Sequence, residues 1–234
     1  MLLPGPLKNI LRGSRVASPG AEPALPAARP YLPSRVPGTE EASATRPSRG
    51  LEEFFRYIHG QTGLNILDVG GATQQNVSFI TNLGHRLYSE DFLQILNETF
   101  GLEDAVDQSN PGRIEYFLRQ ALDHPEAHFD GVLIWDALEY LAPALLQAVV
   151  ERLQRIVRPH SYMLAFFHSD DKLEAVPCYT FRIQEMNKLH VAQNGRRRPV
   201  QLFNIRSLER LFGRFESVKF FLTREQLREV IIKA

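Results

Sequence analysis

The sequence predicts a doubly wound α/β domain on a mostly parallel sheet, and three observations predict it. From about residue 50 onward, short apolar runs alternate with helical periodicities, the pattern of strands joined by helical crossovers. The first run, Leu64 to Val69, is closed by Gly70-Gly71, as a buried strand entering a tight turn is. The last two runs are separated only by Thr223-Arg224-Glu225. That is too short for a crossover, so they pair as an antiparallel hairpin.

Composition divides the chain in two. Residues 1–49 hold 9 of the 15 prolines and no apolar periodicity, which predicts a disordered Pro/Ala/Arg-rich tail. The domain then runs over residues 50–234. The tail carries seven basic and three acidic residues, hence +4, and the domain −4, within a chain of net charge zero. No global field draws it to nucleic acid. Leu2, Leu3, Leu7, Ile10 and Leu11 among Lys8, Arg12 and Arg15 suit an organelle transit peptide in part, but Pro4 and Pro6 break the amphipathic helix that one needs. The single cysteine, Cys178, cannot pair within the chain, and no Cys/His spacing suits a zinc cage. A reducing, cytoplasmic compartment follows. No apolar run approaches the roughly 20 residues that span a bilayer.

Taken in order, Leu51 to His59 has helical spacing and stops at Gly60. Leu64 to Val69 is the first strand, Asn76 to Leu83 a helix ended by Gly84, and His85 to Ser89 a second strand stopping at Glu90-Asp91. Phe92 to Phe100 is a helix, Leu102 to Val106 a weak third strand, and Arg113 to Leu122 a helix led in by Asn110-Pro111-Gly112. Phe129 to Trp135 is the fourth strand, and Pro143 to Val157 an amphipathic helix with proline in its first turn. Ser161 to His168 is the fifth strand. Asp170 to Asn204 shows few periods, carries Arg196-Arg197-Arg198, and is expected as a lid or excursion over the site. Ile205 to Phe212 is a helix, and Phe215 to Leu222 with Gln226 to Ile232 closes a seven-stranded, Rossmann-like sheet.

Ligands of such sheets bind beyond the carboxyl ends of the strands, where the winding reverses. Three segments meet there: Asp68 to Thr73, whose glycines let a ligand approach the backbone; Glu90-Asp91, where a carboxylate can accept ribose hydroxyls; and Asp136 to Tyr140. His168, with Asp170 and Asp171 following, is the candidate general base or substrate contact. Trp135 and Tyr140 suit packing, and Asp130, near the start of its strand, a structural role.

Leu67-Asp68-Val69-Gly70-Gly71-Ala72, Glu90 some twenty residues on, and Phe129-Asp130-Gly131-Val132-Leu133-Ile134-Trp135-Asp136-Ala137-Leu138-Glu139-Tyr140-Leu141 resemble the successive motifs of the class I S-adenosylmethionine-dependent methyltransferases. The closing hairpin resembles that family's final strand pair. The resemblance runs over residues 51–234 in order and is strongest in two short blocks. It implies an S-adenosylmethionine cofactor, with Gly70 and Gly71 on its methionine portion and Asp68 orienting the loop. Glu90 would hold the ribose, with Asp91 as a rival, Asp107 the adenine amino group, and Asp136 with Ala137 the methyl side. It requires no metal.

The sequence departs from the family where Ala72 and Gln74 stand at positions that are commonly glycine. The first functional expectation is methyl transfer to a small-molecule acceptor; the second is a non-catalytic relative that binds a partner. Asp136-Ala137-Leu138-Glu139 is no Asn-Pro-Pro-Tyr-like block, which disfavours amino groups of nucleobases or glutamine as acceptors. A nicotinamide enzyme needs a better Gly-x-Gly-x-x-Gly than Gly70 to Gln75 provides.

Overall fold

The computed structural model describes residues 43–71, 73–101, 107–170, 173–221 and 227–234. Its main sheet has six strands in the order β3 (Arg86–Ser89), β2 (Asn65–Asp68), β4 (Phe129–Trp135), β5 (Val157–His168), β9 (Leu227–Lys233) and β8 (Ser217–Phe221). Pairing is parallel from β3 through β5, and β9 runs antiparallel between β5 and β8. This is the doubly wound arrangement, with the closing hairpin in place. The expected strand at Leu102–Val106 lies outside the described residues.

Alternation along the strands assigns each side chain to one of two apolar layers. Leu67, Val132, Ile134, Met163, Ala165 and Phe167 face the layer made with α3 (Phe92–Phe100), α4 (Pro111–Ala121), α5 (Pro143–Ile156) and α6 (Ile205–Leu211). Ile66, Leu133, Trp135, Leu164 and Phe166 face α1 (Arg49–Ile58) and α2 (Gln74–Asn82). The two-residue period of a strand makes this sorting automatic. The helices start where the sequence supplies caps: Ser48, Thr73, Asp91, Asn110 and Asn204 each accept an N–H from the first turn.

Two expectations are corrected. The sequence predicts the tail through residue 49, whereas Ser43–Pro47 forms β1 and Ser48 caps α1. A carboxylate on β9 fixes this segment: Glu229 accepts from Gly50 N at 2.6 Å and Ser48 Oγ at 3.0 Å, with Arg46 at 4.0 Å. Residues 1–42 of that tail lie outside the described residues. The expected excursion after β5 is instead a regular hairpin, β6 (Val176–Glu185) and β7 (Lys188–Arg197), which makes a three-stranded antiparallel sheet with β1 in the order β1-β7-β6. Phe181, Ile183, Leu189 and Val191 turn its apolar face to the α1 and α2 layer.

Candidate active site

The strand order reverses at β2 and β4, so their carboxyl ends flank the crevice. Val69 N still bonds Leu133 O at 3.0 Å, after which the chain leaves the sheet at Gly70 and Gly71. Gly71 has φ +82°, a left-handed backbone that a side chain would strain. Thr73 then caps α2. Gln74, where a glycine was expected, is the first residue of α2, and its exposed side chain bonds Ser78 Oγ at 3.2 Å, away from the turn. Ala72 lies outside the described residues.

The chain leaving β3 crosses this turn. Glu90 N bonds Asp68 O at 2.8 Å, Gly71 N bonds Glu90 O at 3.0 Å, and Phe92 N bonds Val69 O at 3.1 Å, so Asp91 bridges Gly70. The Asp91 side chain lies against the glycines: a Cβ on Gly71 would stand 3.1 Å from its Oδ2, while its Oδ1 caps α3 through Gln94 N at 2.9 Å. Glu90 turns instead toward His124 Nε2, 4.0 Å away. Of the two rival acids, Asp91 is the one at the turn. Burial raises both pKa values.

Trp135 closes the other side. After a register shift between Leu133 and Trp135 its backbone adopts φ +56°, rare for a bulky residue. Its indole N–H donates to Asp68 Oδ1 at 2.6 Å, and its ring stacks on Phe181 of β6 with centroids 5.0 Å apart and planes 5° apart. A Cβ on Gly70 would come within 2.4 Å of Trp135 Cδ1, so only glycine permits this contact. The second oxygen of Asp68 accepts from Asn76 Nδ2 at 3.1 Å. Asn76 also donates to Phe181 O and accepts from Ile183 N, latching β6 to α2. Burial pushes the Asp68 carboxyl up, opposed first by the indole hydrogen bond.

A buried polar cluster stands at the ends of β4 and β5. Asp136 and the 3-10 turn Ala137–Tyr140 follow β4, and His168 ends β5. Glu139 accepts from His168 on both carboxylate oxygens, from the backbone N–H at 2.9 Å and from Nδ1 at 2.5 Å, with both side chains fully buried. Among the described residues, neither His168 Nε2 nor Asp136 Oδ2 has a hydrogen-bond partner. Burial, together with the nearby Glu139 charge, pushes Asp136 up to about 7, opposed by His168. Burial likewise raises Glu139. From β6, the Tyr179 N–H approaches Asp136 and its ring lies 6.0 Å from that of His168. Cys178 Sγ is 3.7 Å from Tyr140 Oη.

The remaining expected residues fall into place around this rim or away from it. Ala137 is buried in the turn after Asp136. Asp107 is exposed, and hydrogen bonds from the Ser109 hydroxyl and, at 2.8 Å, from Ser109 N hold its carboxyl below the usual range. Its neighbour Gln108 is the buried one, bonded to Tyr140 O and Ala142 N. Arg197, in the basic run of the expected excursion, ends β7 over the Tyr140 ring and donates to Asn97 Oδ1 at 2.9 Å. Asp130 binds Asn65 N and Arg158. Glu139 and Asn76 were not singled out in the sequence. The i, i+3 pairing of acids at Asp136 and Glu139, beside a strand end, was the signal for the first; the second had none. Among the described residues no group of three or more His, Cys, Asp or Glu is placed to hold a metal ion, and no helix is long and apolar enough to cross a membrane.

No protein-family model and no curated protein matches the sequence. Solved structures do. A methyltransferase from Archaeoglobus fulgidus described as S-adenosylmethionine-dependent matches with TM-score 0.46 and 16% identity over 79% of this chain and 92% of that one. One from Methanosarcina mazei, likewise described, matches with TM-score 0.45 and 15% identity over 76% and 96%. The 1,6-didemethyltoxoflavin-N1-methyltransferase of Burkholderia thailandensis, bound to 1,6-didemethyltoxoflavin and S-adenosylhomocysteine, matches with TM-score 0.44 and 15% identity over 79% and 75%. At these identities the likeness does not extend to function.

Proposed function

We propose that the chain is an S-adenosylmethionine-dependent methyltransferase whose acceptor is a small molecule bearing an O–H or N–H group. The observation that carries this reading is the convergence of four strand ends on one rim. The glycine turn after β2, Asp91 after β3, Asp136 after β4 and His168 at the end of β5 stand together at the reversal of strand order, with two buried polar atoms, Asp136 Oδ2 and His168 Nε2, that have no hydrogen-bond partner among the described residues. This set suits a ligand that offers hydroxyl and ammonium donors. Bound there, the cofactor supplies a methyl group on a sulfonium, already an excellent leaving group.

The chain's own residues then have simple tasks. The Asp91 carboxylate beside Gly71 accepts ribose hydroxyls, and the glycines allow close backbone approach. Glu139 holds the His168 ring in the tautomer whose Nε2 is a base. Asp136 Oδ2 orients the acceptor's donor, and His168 Nε2 takes the proton that the acceptor oxygen or nitrogen loses as it gains the methyl group. Proximity and orientation provide most of the rate, as for any displacement between two bound reactants.

A second reading, a non-catalytic relative that binds a partner, is favoured by one observation: Trp135 already occupies the face of Gly70. Calorimetric titration of the full chain with S-adenosylmethionine separates the two. The enzyme reading predicts saturable binding, lost in Gly70→Arg and weakened by about tenfold or more in Asp91→Ala, in line with the loss of charge-assisted hydrogen bonds. A folded chain that takes up no cofactor would favour the second reading.

A further inference from the structure

We propose that Arg197 is an anion anchor beside the buried acid-base cluster, and that the acceptor carries a carboxylate or phosphate group which its guanidinium holds. This rests on the methyltransferase reading above and narrows the acceptor to an anionic molecule. Arg197 ends β7, paired with Val176 of β6, and its half-buried side chain reaches from there to two neighbours. Nη2 donates to Asn97 Oδ1 on α3 at 2.9 Å, and the guanidinium lies over the Tyr140 ring, 5.3 Å from its centroid. An amide and a ring thus fix the cation in place, and neither carries a charge.

A guanidinium offers five N–H donors, of which Asn97 takes one. Among the described residues no carboxylate forms an ion pair with Arg196, Arg197 or Arg198, although the domain as a whole carries −4. Ordering an arginine costs rotamer entropy, so one that is held at the rim of a site without a counter-charge points to an anion that completes it. The anchor and the buried cluster share neighbours. Tyr140 Oη lies 3.7 Å from Cys178 Sγ. Burial raises the pKa of the Cys178 thiol, the Tyr140 hydroxyl opposes that, and the charges of Asp136 and Arg197 act on it in opposite senses. Both residues therefore lie close to the Tyr140 and Cys178 contact. Asp136 Oδ2 and His168 Nε2, buried and without a hydrogen-bond partner among the described residues, meet the O–H or N–H that is methylated. Arg197 meets the other end, its planar fork matched to two oxygens of one carboxylate or phosphate.

The test is a proton–nitrogen-15 titration of the full-length chain with inorganic phosphate, and again with benzoate, at an ionic strength held constant with chloride. The Arg197 Nε–H signal, identified by its loss in Arg197→Lys, and the Asn97 side-chain amide are expected to shift saturably in the millimolar range. Arg196→Gln and Arg198→Gln should move the midpoint by less than about fivefold, as exposed charges do. Arg197→Gln should weaken the Asn97 response by about tenfold or more, and Arg197→Lys, which keeps the charge but not the fork, should fall between. No saturable shift, or an equal one at every exposed arginine, would overturn the anchor. Repeating the titration with S-adenosylhomocysteine or methylthioadenosine bound identifies whose anion the anchor takes. Unchanged midpoints leave Arg197 to the acceptor. Displacement of phosphate by S-adenosylhomocysteine, but not by methylthioadenosine, which lacks the carboxylate, would assign Arg197 to the cofactor and overturn the proposal. A folded chain that binds neither nucleoside would overturn the methyltransferase reading and the acceptor with it, even where the phosphate shift stands.

Discussion

Trp135 and Asp68 end the adjacent strands β4 and β2, and the indole N–H of one donates to the carboxylate of the other over 2.6 Å in the interior. The Asp68 oxygen involved also accepts Gly70 N at 2.9 Å. Trp135→Phe removes one buried partner from a carboxylate that burial already disfavours and is expected to lower stability by about 1–2 kcal/mol. Urea unfolding of the single variants and of the double variant with Asp68→Asn measures the coupling. Additive effects would show that the bond contributes nothing.

Asp136 should make stability fall as pH rises. Its folded pKa, pushed up to about 7 by burial and the Glu139 charge, lies above the ordinary aspartate value of about 3.9. The folded state therefore binds more protons across that interval. Its stabilising contribution is complete below about pH 4 and is lost by about pH 7, on the order of a few kcal/mol. Asp136→Asn does not titrate, so it should gain on the wild type steadily between pH 4.5 and 7.5 in urea midpoints. A constant difference across that range would contradict this placement.

Glu139→Ala leaves two buried donors of His168, the backbone N–H and Nδ1, without an acceptor. A loss of about 2–5 kcal/mol is expected, against about 1–2 kcal/mol for Glu139→Gln, whose amide oxygen can still accept one of them. Nitrogen-15 chemical shifts of the labelled His168 ring report the tautomer directly. Wild type should show a protonated Nδ1 and a bare Nε2, and a mixture of tautomers in Glu139→Gln would show that Glu139 positions the ring.

Glu229 should hold the start of the described chain to its end. Its replacement by alanine strips acceptors from Gly50 N and Ser48 Oγ and leaves Arg46 without its 4.0 Å counter-charge, at a cost of about 3 kcal/mol or more. Limited proteolysis should then cut within residues 43–50 well before the rest of the domain. Unchanged cleavage would show that β1 is held by its pairing with β7 alone.

Much of the fold was legible because its signals are local. Phe129–Trp135 and Phe92–Phe100 end where the sequence changes texture, at Asp136 and Gly101, and their bounds follow. β1 was not legible, since Ser43–Pro47 has no apolar alternation and exists through pairing with β7, about 145 residues away in the chain. The β6 and β7 hairpin left a signal that polar neighbours obscured: Tyr179, Phe181 and Ile183 alternate, as do Leu189 and Val191, around the short turn at Met186-Asn187. In the site, the glycine turn and the acids at strand ends could be read from spacing. That Asp91 rather than Glu90 lies against Gly71, that Glu139 contacts His168, and that the indole packs beside Gly70 could not. Each depends on which way a side chain turns once the strands are side by side.

Trp135 is the chain's one tryptophan, so its fluorescence reads the glycine turn without interference. The most direct test is a titration of the wild type with S-adenosylhomocysteine, following tryptophan emission. The account predicts a saturable change of emission as the ligand fills the turn beside the indole, abolished in Gly70→Arg. Emission that stays unchanged up to concentrations at which calorimetry shows saturation would mean that the ligand binds away from the turn beside Trp135, and would contradict the placement of the site.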